Sequence, residues 1–390
     1  MEKKWQSLVM MVGIFMTLSG CGSLTQTSES LSKKQSDEIV IGGNWELSGP
    51  ISAYGVAQDR AVKLAIEEKN QQGGVNGRQV KYISYDNKST TEETIAGAEK
   101  LVSDGVNLII GPSTTNNTLA EIPVTQREKI PLISATATAD NITQDKSGKV
   151  LDYIFRICFK DSLQGGSLAE FANKKGYQTA AVIKDNSSDY GQNLTDQFKK
   201  YFKGQVIQEE SYVSEEKDFQ AILQNVKKAG AEMIFIAGYY ENAGPLIKQA
   251  REMGLTVPIL GPDGFGNKGI IELAGIENWD NIYYAAHFVE NEHASDEVKQ
   301  FVKKYKETYG NAPDMFAALA YDAAHLAMDA MKRAGSTEKD AIREALAQTK
   351  DFKGVTGTFS MDEWHNPSKT VFIQEVKGGK VVESTAIDPK

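Results

Sequence analysis

The chain has little with which to do covalent or metal chemistry. Its 390 residues include only two cysteines, Cys21 and Cys158, and four histidines. His287, His293, His325 and His365 show no zinc-ligand spacing such as H-E-x-x-H. No G-x-S-x-G elbow occurs, and no cysteine sits beside a histidine. A G-x-x-x-x-G-K-[ST] loop is missing, and neither "GGVNG" nor "GPDGFG" completes G-x-G-x-x-G. These gaps point away from an enzyme and imply no metal and no cofactor. Basic residues are short too. The net charge is −9, without a basic patch interleaved with aromatics, which argues against nucleic acid. The apolar run Leu8–Leu18 is well below the ~20 residues that cross a bilayer.

What is present begins with that run. Lys3 and Lys4 precede it and "LSGC" ends it, so residues 1–20 are predicted to be a signal peptide. The ending resembles a bacterial lipobox, which implies cleavage before Cys21 and lipid attached to it. Several acyl chains on one residue give stable anchoring. Removing residues 1–20 removes +1 (two lysines against Glu2), leaving about −10. Residues 21–37 are polar and read as a tether with an end-to-end distance of roughly 20–25 Å. With Cys21 lipidated, Cys158 has no disulfide partner and reads as a buried thiol.

From Ile39 onward, short Val/Ile runs alternate with amphipathic helices. The runs "IVIGG", "NLIIG", "IPLIS", "TAAVIK", "AEMIFIAG" and "VPILG" suit parallel strands buried on both faces. Ala57, Ala61, Leu64 and Ala65 share one helical face, with Arg60, Lys63 and Glu67 opposite. The alternation predicts an α/β architecture of two doubly wound sheets. Ligands of such sheets bind beyond the carboxyl ends of the strands.

Several strand-end loops are chemically unusual. "IIGPSTTNNT" (Ile109 to Thr118) sets four hydroxyls and two amides before a helix starting near Thr115 or Asn116. Two readings are open. The hydroxyls cap the helix, or the free N–H groups of its first turn bind an anion without a lysine. "PLISATATAD" places Thr136 and Thr138 among alanines after the next strand. Later strand ends carry Tyr190, Tyr239 with Tyr240, and Asp263, the last in a Pro-Asp-Gly turn. Tyr54 precedes the first helix, and Phe316 begins an Ala/Leu/Met-rich helix that reads as core and holds His325.

In order, the segments "LSGPISAYG", "NQQGGVNGRQVKYISYDN", "LVSDGVNLIIG", "IPLISATAT", "FRICFKDSLQG", "DYGQN", "EKDFQAIL" and "ILGPDG" resemble the solute-binding proteins of branched-chain amino-acid ABC transporters, from about Ile39 to Ile387. The resemblance implies a type I periplasmic-binding fold: two Rossmann-like lobes joined by a three-strand hinge near Arg156, His287 and Trp364. Residues 38–156 with 287–364 form the first lobe, and 157–286 with 365–390 the second. It implies a ligand carboxylate held by Thr115, Thr138 and Tyr239, and an ammonium held by the Thr136 carbonyl, Thr138 and Asp263. Tyr54, Tyr190 and Phe316 wall the side-chain pocket. Asn116, Asn117 and Thr118 then read as capping residues. The implied partners are an amino acid, probed as Leu, Ile or Val, and ABC permease subunits, with the chain a monomer anchored outside the membrane by lipid. Alternatives are an amide, urea or aromatic amino acid as ligand, or a sensing ectodomain. Well-known enteric members carry Ser for Thr115 and Glu for Asp263, and a first-lobe disulfide that this chain cannot form.

Overall fold

Short aliphatic runs become strands where both faces are covered. In β1 (Ile39–Trp45), Ile39 and Ile41 enter one apolar cluster while Val40 enters another. The computed structural model describes residues 38–289 and 294–387. The expected signal peptide, Cys21, the tether, His293 and the last three residues of the expected second lobe lie outside that range.

Each strand of the first half leads into a helix. α1 (Ser52–Gln71) turns Ala61, Val62, Leu64 and Ala65 inward and leaves Lys63 and Glu67 in solvent. Gly73 and Gly74, both at positive φ, follow its end. β2 (Val80–Asp86), α2 (Thr91–Ser103), β3 (Leu108–Ile110), α3 (Thr115–Arg127), β4 (Leu132–Ser134) and β5 (Ile154–Arg156) complete a five-stranded parallel sheet, ordered β2-β1-β3-β4-β5.

The second sheet follows α4 (Asp161–Lys175). It contains β6 (Thr179–Asp185), β7 (Gln205–Tyr212), β8 (Met233–Ala237), β9 (Ile259–Gly261) and β10 (Ile282–Ala286), linked by α5 (Asp189–Tyr201), α6 (Gln220–Ala229), α7 (Tyr240–Glu252) and α8 (Gly269–Ala274). The chain then returns to the first sheet as α9 (Asp296–Tyr309), α10 (Met315–Ala334), α11 (Lys339–Ala347) and the small pair β11 (Phe352–Gly354) and β12 (Gly357–Phe359). α10 lies along α1, and its alanines let the two helices approach closely. The chain crosses once more into β13 (Val371–Lys377) and β14 (Lys380–Ile387), so the seven-stranded order is β14-β13-β10-β9-β8-β6-β7.

Five strands differ from the sequence reading, which has none at β7, β11, β12, β13 or β14. β7 is a half-exposed edge strand carrying Glu209 and Glu210, so it lacks an aliphatic run. β13 and β14 form an antiparallel hairpin on β10, and the second sheet is therefore mixed.

α1 packs directly on the segment after β1. A Cβ at Gly55 would lie 2.2 Å from the Glu46 carbonyl oxygen. Gly55→Ala is therefore expected to destabilise the protein by about 1–3 kcal/mol through overpacking. Calorimetric melting checks this, and an unchanged melting temperature would mean that α1 shifts without cost.

Candidate ligand-binding site

The strand-end loops meet in one small cavity. It is lined by Tyr54, Ser113, Thr115, Thr136, Thr138, Tyr190, Tyr239, Asp263, Gly264 and Phe316. All eight residues singled out from the sequence for ligand contact are among them. Ser113 and Gly264 are additions.

The first-lobe wall starts at Gly111. Its φ is +112°, and a Cβ there would lie 2.5 Å from the Asn44 carbonyl oxygen, so only glycine fits the turn. The chain then enters α3, but the cap is not one of the loop hydroxyls. Buried Glu46 accepts from the Ser113 N–H at 3.0 Å, the Thr114 N–H at 3.3 Å, the Thr114 hydroxyl at 3.0 Å and the Asn117 amide at 2.8 Å. This corrects the capping reading of the loop, since no loop hydroxyl accepts from the start of α3. Glu46 instead holds the two N–H groups just ahead of α3, and Asn117 supports it. Thr118 bonds back to the Thr114 carbonyl at 2.9 Å, and Asn116 reaches the second lobe at the Ser187 carbonyl and the Asp189 N–H, both 3.3 Å.

What remains facing the cavity is a set of hydroxyls. The Oγ atoms of Ser113, Thr115 and Thr138 are buried without a hydrogen-bond partner. The Asp161 carboxyl lies close to Thr138 but outside hydrogen-bond geometry. The Thr136 hydroxyl is committed to the Ser113 carbonyl at 2.7 Å. The Thr115 N–H donates to the Tyr239 hydroxyl at 3.4 Å, so the two lobes already touch at this point.

The second-lobe wall is aromatic around one carboxylate. Asp263 follows β9 in a 3-10 turn and is 2% exposed. Its Oδ1 accepts from the Tyr190 hydroxyl at 2.5 Å, and its Oδ2 lies 2.9 Å from His287 Nε2. The Asp263 N–H donates to Gln164 Oε1 at 3.1 Å. Tyr190 stacks on Tyr239 with centroids 4.7 Å apart, and Tyr54 packs on Phe316 at 4.5 Å. Tyr54 also spans the lobes: its hydroxyl donates to the Gly264 carbonyl at 2.7 Å and accepts the Tyr240 N–H at 3.2 Å.

Burial simplifies the charges. It pushes the phenols of Tyr54, Tyr190 and Tyr239 well above their ordinary value, so they remain donors. It also raises the neighbouring Asp161 carboxyl to about 8, so Asp161 is mostly protonated at pH 7. Among the described residues, no lysine, arginine or histidine lines the cavity. The arrangement is one carboxylate opposite a cluster of free hydroxyls, separated by aromatic rings.

Glu46, Gln164 and His287 escaped the sequence reading as site residues. Glu46 carried one signal, an acid directly after a strand. A larger cavity of about 300 Å³ lies behind the Asp263 turn, between Phe265, Trp279, Tyr284 and Met315. None of its lining side chains has a buried polar atom without a partner, so it lacks the polar demand of the first. Cys158 is buried and free, its thiol raised to about 12 by burial.

Comparison with known proteins agrees with this geometry. The family model described as periplasmic binding protein matches residues 38–380. The leucine-, isoleucine-, valine-, threonine- and alanine-binding protein of Pseudomonas aeruginosa is 28% identical over 352 residues, covering 89% of this chain and 90% of its own. Among solved structures, the branched-chain amino-acid transporter substrate-binding protein LivJ of Streptococcus pneumoniae, in complex with isoleucine, superposes with a TM-score of 0.86. It is 36% identical, over 90% of this chain and all of that one. The leucine-binding protein LivK of Thermotoga maritima gives 0.84 at 30% identity, over 90% of this chain and 99% of that one. The chain belongs to the periplasmic binding protein family, among the two-lobed solute-binding proteins of branched-chain amino-acid ABC transporters.

Proposed function

We propose that the protein is an extracytoplasmic receptor that captures a branched-chain amino acid between its lobes and delivers it to an ABC permease. The observation that carries this is Asp263, a buried carboxylate with no cationic side chain lining its cavity, facing the free hydroxyls of Ser113, Thr115 and Thr138. A zwitterion answers both ends: its ammonium meets Asp263 and the Thr136 carbonyl, and its carboxylate takes the hydroxyls of Thr115, Thr138 and Tyr239. A plain carboxylic acid would leave Asp263 uncompensated. The closely packed rings of Tyr54, Tyr190, Tyr239 and Phe316 favour an aliphatic side chain over an aromatic one. The relatives named for leucine, isoleucine and valine support the same reading.

On this reading ligand lands on the first lobe, and the second closes over it about the segments near Arg156, His287 and Trp364. The lobes are residues 38–156 with 287–364, and 157–286 with 365–390. Ligand favours the closed form because only there does it contact both lobes. Charged hydrogen bonds of about 1.5–3 kcal/mol each and a buried aliphatic side chain of similar worth, less association costs, give roughly −8 to −9 kcal/mol. That corresponds to about micromolar affinity or somewhat tighter. The protein acts as a binding monomer, not an enzyme, held at the membrane by lipid on Cys21.

A thermal-shift panel of the twenty amino acids tests the function. Leucine, isoleucine or valine at 1,000 times its dissociation constant should stabilise the protein by about 4 kcal/mol. A panel in which no aliphatic amino acid raises the melting temperature would overturn the reading.

A further inference from the structure

We propose that His287 makes this site selective for ligands that bring their own cation, by holding the Asp263 carboxylate in place as a neutral donor that does not cancel its charge. The proposal rests on the reading that Asp263 receives an ammonium.

His287 directly follows β10, where the chain leaves the second sheet, and its side chain has no exposed surface. The ring stacks on Phe159, with centroids 3.4 Å apart and planes 19° from parallel. Stacking fixes the imidazole plane, and the plane aims Nε2 at Asp263 Oδ2, 2.9 Å away. A bare ring nitrogen at that distance would face an oxygen lone pair, so Nε2 carries the proton and Nδ1 does not. Nδ1 is buried and has no partner in the protein. A second proton there would put an N–H into the interior without an acceptor, which is costly.

The neighbours agree. The charged groups acting on the ring are Asp263, bonded to it, and Lys369 before β13, while Tyr190 on α5 and Gln164 on α4 reach it only through Asp263. Lys369 is buried, donates to Thr356 Oγ1 at 2.5 Å and lies over the Phe359 ring. Burial opposes a second proton at His287, the Lys369 charge adds a smaller push, and together they outweigh the pull of Asp263, so the imidazole titrates below its ordinary value.

The consequence is a division of labour on one carboxylate. Tyr190 takes one oxygen and His287 the other, both as neutral donors, and each oxygen keeps a lone pair. Asp263 is thereby oriented at both atoms without being paired to a cationic side chain. A cationic residue at 287 would orient it equally well but pair with it. The ammonium would then lose its counter-charge, and a deaminated ligand would no longer be repelled.

The test uses the mature full-length protein and titration calorimetry at pH 7, with leucine and its deaminated analogue 4-methyl-2-oxopentanoate. His287→Leu is expected to weaken leucine binding by about 10- to 100-fold, and His287→Gln, which keeps a neutral N–H, to restore most of that loss. His287→Lys is expected to narrow the preference for leucine over the keto acid by at least about tenfold. Leucine binding by the wild type together with unchanged affinity in His287→Leu would overturn the proposal alone. Absence of amino-acid binding by the wild type would overturn the reading of the site and the proposal with it. A fold-independent check is the imidazole nitrogen NMR spectrum of the wild type. His287 should be the neutral Nε2–H tautomer at pH 7 and titrate below the ordinary imidazole range, and a ring already doubly protonated at pH 7 would also refute the proposal.

Discussion

Asp263→Ala is expected to weaken binding of leucine, isoleucine and valine by at least about thirtyfold, or 2 kcal/mol, and up to about 5 kcal/mol. The size of the effect follows from burial. An ammonium brought into this cavity loses water on all sides, and among the described residues Asp263 is the only carboxylate that lines it. The hydroxyls that remain can accept a hydrogen bond but cannot supply the opposite charge. The substitution also strips acceptors from the Tyr190 hydroxyl and His287 Nε2. Each buried donor left unpaired costs about 1–3 kcal/mol, so the variant should melt earlier while remaining folded. Asp263→Asn separates the two effects, since it keeps an acceptor for one donor but removes the charge. Calorimetry on both variants is decisive: a dissociation constant within threefold of wild type in both would remove Asp263 from the ammonium site. Circular dichroism guards against misreading an unfolded variant as a binding defect.

Asp263 is also one methylene shorter than the glutamate of well-known enteric relatives. Several side chains reach across the cleft in this structure. Tyr54 reaches the Gly264 carbonyl, Tyr240 reaches the Pro50 carbonyl at 3.1 Å, and Asn267 reaches Asp314 at 2.7 Å.

How much of this was legible in the sequence depended on what each residue needed to reveal itself. Strands buried on both faces announced themselves through Val/Ile runs, as in β6 and β8. β7 and β14 did not, because an edge strand is half solvated and its polar residues look like a loop. The cavity residues were legible because a strand end is a local feature, and hydroxyls or aromatics placed there have few structural explanations. Glu46 was not, because its role exists only once α3 arrives at the end of β1, 67 residues later. Local rules offered a hydroxyl cap or an anion for this loop and missed a distant carboxylate that holds the turn ahead of α3. His287 failed for a similar reason. Motif reasoning tested it for zinc spacing, whereas its partner lies on another strand end, 24 residues away.

Arg156 ties the site to the joins between the lobes, and its loss should be the most damaging single substitution for stability. The guanidinium is fully buried at the end of β5. It donates to the carbonyls of Thr138 at 3.0 Å, Ala139 at 2.7 Å and Asp140 at 3.3 Å, and to Asn366 Oδ1 at 2.6 Å. One side chain therefore fixes the backbone of the Thr138 loop and clamps it to the third crossing of the chain. No carboxylate contacts it directly; Asp140, Asp161 and Asp362 supply counter-charge from a distance. Arg156→Met fills much of the volume but removes four hydrogen bonds and a buried charge-bearing clamp, although Thr138, Ala139 and Asn366 keep other donors, and a loss of about 3–5 kcal/mol is expected. For a protein of this size that lowers the melting temperature by roughly 5–10 °C. Affinity should fall as well, because the Thr138 hydroxyl is carried by the loop that Arg156 holds. Arg156→Lys keeps the charge but cannot reach both sides, so it should recover only part of the stability. The two losses can be told apart by adding saturating leucine during melting. If the Thr138 loop is disordered by the substitution, the ligand-induced rise in melting temperature shrinks together with the baseline. A variant that melts early yet keeps the full wild-type rise would show that Arg156 stabilises the fold without shaping the site.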